Sequence, residues 1–238
     1  MKRIIMKYKL TENKKINGSI TLYQIEALKD FSNIKKGDLG GWIEKESNLS
    51  QQGNCWVFGN ASVYGGARVF GGARVSGNAE VYDNAWVFDD AMVFDDARVF
   101  DDAMVFGAAS VFGAAKVYGD AEVYDNAKVY GNARVSGNAR VSGNAEVYDD
   151  AAVYGAASVY GYTRVYGDAM VFDYAKVYDD AKVYGSARVF GAAMVFGAAS
   201  VSGDAKVYGD AWVSDYAEVY GSARVFGAAS VSGYAIIN

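Results

Sequence analysis

Beyond residue 52 the chain runs in triplets that read apolar, variable, apolar. Each triplet is followed by an aromatic residue and a pair that is mostly Gly, Asp, Asn or Ala. Ala61-Ser62-Val63-Tyr64-Gly65-Gly66 is one such unit, and the unit recurs without insertion or deletion from Gly53 onward. Thirty valines spaced by six run from Val57 to Val231, and the column two residues before them is alanine except at Cys55 and Thr163. The residue after each valine is Phe or Tyr except at Ser76, Ser136, Ser142, Ser202, Ser214 and Ser232. An alternating triplet predicts a short strand with one buried face. The pair after the aromatic predicts a turn, because Gly, Asn and Asp tolerate positive φ. Charged residues fall almost only at the middle of the triplet (Arg68, Glu80, Lys116), so that position faces solvent. Strand plus turn in six residues makes one side of a coil, and a fixed short period marks a solenoid whose units pack on their neighbours. Proline is absent from the chain, as strands hydrogen-bonded on both edges require.

Residues 1–52 do not repeat and read as an N-terminal β-rich cap on a solenoid of residues 53–238. Ile20–Ile25 predicts a strand, with Glu12-Asn13 and Asn17-Gly18 as turn signals before it. Gly37-Asp38 and Gly40-Gly41 mark a second turn before Trp42-Ile43. A short helix over Gln24–Phe31 is the competing expectation. An atypical terminal unit covers the open edge of a solenoid.

Composition narrows the class. With 52% apolar and 21% charged residues, the chain is a folded one, and no stretch approaches the ~20 apolar residues of a membrane span. Met1–Met6 is basic and apolar, but Lys7 and Lys9 interrupt it, so no signal-peptide core develops and a cytoplasmic location is expected. Cys55 is a lone cysteine at an alanine position, which reads as a small buried hydrophobe. The net charge of −5 is too small for a nucleic-acid assignment.

The segments Gly40-Gly41-Trp42-Ile43 and Asn48-Leu49-Ser50-Gln51-Gln52-Gly53-Asn54-Cys55-Trp56-Val57 resemble the cap-to-repeat junction of the YdcK-type bacterial hexapeptide-repeat proteins, a family often labelled as transferases. The resemblance implies a left-handed, three-sided parallel β-helix with eighteen residues per turn, and so about ten coils here. It implies an acyl- or nucleotidyl-transferase relationship as well, but supplies no catalytic residue for this chain. Hexapeptide acyltransferases use a histidine base and a looped insertion. This chain contains no histidine and no insertion after Gly53, and no catalytic residue or cofactor is assigned.

Three residue sets remain as candidates. Asp83, Asp101, Asp102 and Asp120 stack at one corner if residues eighteen apart are neighbours, a set that calcium chemistry would use but that turn chemistry explains better, since Asp alternates with Gly and Asn at those positions. Trp86, Met104, Met194 and Trp212 fall on one side of the coil, among Arg68, Glu122, Arg140 and Lys176, as in a recognition surface. Another side carries a basic stripe that includes Arg98, Lys116, Arg134 and Arg188. Ile237 lies in the last unit and offers an end-to-end contact. The aromatic column predicts ladders at the corners, which either stack among themselves or hold a glycan or a base. The reading favoured is a non-catalytic structural or protein-interaction solenoid that forms a homo-oligomer, most simply a two-fold dimer. A degenerate transferase and a glycan- or nucleic-acid-binding rod (or acidic mimic) are the alternatives.

Overall fold

The computed structural model describes residues 6–238; Met1–Ile5, where a signal-peptide core was sought, lies outside them. From residue 53 onward the chain is a three-sided parallel β-solenoid. Thirty-one two-residue strands, β4 (Trp56–Val57) to β34 (Ile236–Ile237), follow one another at six-residue spacing. Each but the last three pairs in parallel with the strand eighteen residues on, as Val99 does with Val117. Successive strands therefore belong to three different sheets, and the long crossover that parallel pairing needs is the remainder of the same coil. The ladder bonds are regular: the Arg98 amide donates to Ala115 O at 2.9 Å and the Phe100 amide to Val117 O at 3.1 Å.

The interior holds the alanine and valine columns. Every valine from Val57 to Val219 is at most 1% exposed. At the single Thr163, whose side chain is also buried, the hydroxyl donates to Tyr160 O at 2.8 Å. The corners turn through a left-handed residue. Asp83, Asp89 and Asp101 take φ of 56°, 55° and 58°, and Gly65 in the same column takes 67°. A Cβ at Gly65 would stand 3.0 Å from the Asp83 backbone, so the crowded corner accepts only residues that enter this region cheaply.

The cap is an antiparallel β1 (Tyr8–Asn17) and β2 (Ile20–Ala27), with β3 (Leu39–Ile43) antiparallel to β2. Three expectations are corrected here. Gly40-Gly41 lies within β3 and not in a turn. Gln24–Ala27 is strand, not helix, because it pairs on both sides with β1 and β3. Glu12-Asn13 is no turn but sits inside β1, where the register slips between Leu10 and Lys14. The other edge of β3 pairs in parallel with β5 (Ser62–Val63), and Leu49 bridges Val69. Trp42 and Leu49 thus complete, with the first regular strand at Trp56, an initial coil, bringing the solenoid to about eleven turns. The cap buries that coil. Trp56 is 1% exposed, packed edge-on by Tyr8 at 6.1 Å and Phe31 at 5.3 Å. Cys55 is fully buried, as its alanine position implies, but it has a polar partner: Lys7 Nζ donates to Cys55 O at 2.9 Å and to its Sγ at 3.2 Å. Burial holds the Lys7 amine below its ordinary pKa.

Candidate interaction surface

Because the coil has three sides, the middle residues of the triplets sort onto three faces. The first carries Ser62, Glu80, Arg98, Lys116, Arg134, Ala152, Met170, Arg188, Lys206 and Arg224 in successive rungs. This is the expected basic stripe, interrupted by Ala152 and Met170 and relieved at one end by Glu80, 4.0 Å from Arg98. The third face runs from Trp56 through Arg74, Met92 and Ser110 to Ile236 and mixes charges without a run.

The second face brings the tryptophan and methionine candidates together in two pairs. Trp86 is in register with Met104 on adjacent rungs, and Met194 with Trp212. Trp86 is 41% and Trp212 47% exposed, high for the largest apolar side chain. Each indole leans edge-on against the phenylalanine sixteen residues before it: Trp86 on Phe70 at 6.0 Å, Trp212 on Phe196 at 6.5 Å. The Arg68 guanidinium sits 5.7 Å from the Trp86 ring. These contacts restrict the rings, so presenting them to a partner loses little side-chain freedom. Between the two pairs lie Glu122, Arg140, Ser158 and Lys176, with Arg140 Nε 3.4 Å from Glu122 Oε2.

The other candidates are placed as follows. Asp83 and Asp101 occupy one turn column and Asp102 and Asp120 the next. Asp101 Oδ2 accepts from the Gly119 amide at 3.0 Å, and Asp102 Oδ1 from Asn84 Nδ2 at 3.2 Å. The same bond, donated by the glycine amide one coil on to a left-handed Asp, recurs at Asp89, Asp125 and Asp173. These carboxylates complete the turn ladder, and among the described residues no three acidic, His or Cys side chains converge on a cation position. Ile237 is 36% exposed and paired on one edge with Val219. The aromatic column forms three ladders at the corners. The longest runs over six rings from Phe94 to Tyr184, with centroids 4.7 to 5.0 Å apart and planes within 3° of parallel. Its rings face one another, half-buried along their edges. No helix among the described residues is long and apolar enough to cross a membrane.

Residues 127–143 and 133–147 match the family described as the YdcK β-solenoid repeat. Over 60 residues the chain is 37% identical to a protein of Escherichia coli (strain K12) described as the uncharacterized acetyltransferase YdcK. That match covers 22% of this chain and 18% of the relative. The family match thus falls on the repeats within residues 127–147, and the activity in the relative's description is that of the relative.

Proposed function

We propose that this chain is a non-catalytic interaction solenoid, whose second face is the surface a protein partner contacts. The observation that carries the reading is the pair of exposed tryptophans, each in register with a methionine on the adjacent rung of a regular face. Exposed aromatic and methionine side chains concentrate at the cores of protein interfaces, where fixed rings lose little entropy on binding. The acetyltransferase description of the relative is the one observation that favours a second reading. Against it, acyl transfer needs a positioned base and a cleft for the donor. This chain has no histidine, its interior is filled by alanine and valine, and many of its turn carboxylates accept amide hydrogens of the next coil. An assay of acetyl transfer from acetyl-CoA to amine acceptors is expected to give no rate above a boiled control. A rate that Asp101→Asn or Asp102→Asn abolishes would overturn the reading.

A further inference from the structure

We infer that the second face pairs with the same face of a second copy of this chain, the two rods antiparallel about a two-fold axis between the rungs of Arg140 and Ser158. The inference deepens the interaction reading above and rests on it. Those two residues are neighbours in register. Counting outward from them, Glu122 and Lys176 are equidistant, then Met104 and Met194, then Trp86 and Trp212. The order along the face is therefore a palindrome in shape and an inverted one in charge.

A two-fold axis in the interface plane, perpendicular to the rods, makes an isologous contact. It sets each Trp86 against the opposite Trp212, seven rungs or ~34 Å apart on one chain, and Met104 against Met194. It places Glu122 opposite Lys176 twice, and the long Arg140 opposite the short Ser158. Lys176 is the side chain that most needs this partner. Its neighbours in the ladder, Ser158 and Met194, are neutral, and it makes no ion pair among the described residues. Glu122 uses one carboxylate oxygen on Arg140, which leaves the other for the opposing chain. A parallel arrangement of the same faces would set Glu122 on Glu122 and Lys176 on Lys176, an unfavourable register. The first face has no such symmetry: inverting it brings Arg98, Lys116 and Arg134 against Arg188, Lys206 and Arg224.

Charge reversal tests the register. Light scattering of the intact chain at ~100 µM, well above the micromolar range of a modest interface, is expected to show a dimer. Lys176→Glu alone breaks no ion pair within the chain and is expected to weaken dimerisation by at least about tenfold. Glu122→Lys alone should do the same, with thermal melts confirming that both variants fold. Mixing the two single variants makes both opposing pairs complementary again, so the mixture should dimerise as the unaltered chain does. A strict monomer at that concentration overturns the inference. So does a dimer indifferent to Lys176→Glu, or a mixture that fails to associate. If Trp86→Lys with Trp212→Lys still dissociates the dimer in those last cases, the face stands as the contact and only the antiparallel register is lost. The acetyl-transfer assay is independent of all these outcomes.

Discussion

Val147 and Glu146 are consecutive residues in different surroundings. Val147 is fully buried among alanine and valine side chains, with no polar group to receive a charge. Val147→Asp should destabilise the solenoid by several kcal/mol, because the carboxylate must be buried without a partner or protonated. Position 146 points outward, but it is not neutral ground. Glu146 lies between Lys128 at 3.3 Å and Arg164 at 4.0 Å, and Lys182 follows Arg164 in the same ladder, so Glu146→Lys would set four cations in consecutive rungs. The expected cost is about 1 kcal/mol, more than an isolated surface change but well below that of the buried one. Urea unfolding of the two variants reads both values, and equal stabilities would mean that the inward and outward assignment is wrong.

At the level of the element, the two-residue strand is too short to be stable alone, so most of its stability comes from the rungs on either side. The corner ladders add to this where they are continuous. Where serine replaces the ring, the stack is cut: Phe100 stacks on Tyr118 at 4.9 Å and Tyr154 on Phe172 at 4.9 Å, with Ser136 between the two runs. Nothing in the structure explains why serine stands there. Ser136→Tyr should rejoin the two stacks and raise stability by about 1 kcal/mol, the scale of one or two offset aromatic contacts. A melt unchanged or lowered by the substitution would show that the corner cannot seat a ring at that rung.

Across the whole molecule the tyrosines of these ladders tie stability to alkaline pH. Burial pushes the Tyr130 hydroxyl up to about 12, reinforced by the nearby Glu146 carboxylate. Tyr148 and Tyr166 are raised as well, chiefly by burial and then by the next tyrosine along the ladder. At these three rings the folded state disfavours the tyrosinate form, whereas hydrogen bonding from Ser200 and then Ser202 lowers Tyr184 at the end of the ladder. The stabilisation is fully present below the ordinary tyrosine pKa of about 10 and is lost as pH rises through the raised values. Circular dichroism should hold its β signal up to about pH 10 and lose it on the approach to pH 12, together with the rise of tyrosinate absorbance. Full ionisation of the tyrosines with the β signal intact would contradict the burial of the rings.

The period of six, the valine and alanine columns and the turn residues were legible because each is a local consequence of one repeated environment: inward, outward or corner. They specify a rod of stacked coils, the face on which each middle residue lies once the turn is eighteen residues, and the lack of a catalytic histidine. Pairing across the chain decided the rest. The strand at Gln24–Ala27 depends on β1 and β3 covering both its edges, and the burial of Trp56 depends on Tyr8 and Phe31 arriving from the cap. The lysine beside Cys55 comes from forty-eight residues away. The bond from the Gly119 amide to Asp101 and that from Asn84 Nδ2 to Asp102 likewise join residues one coil apart. Local pattern fixes which way a side chain points. Which groups it then meets depends on segments far apart in the chain, and only the folded coil brings these together.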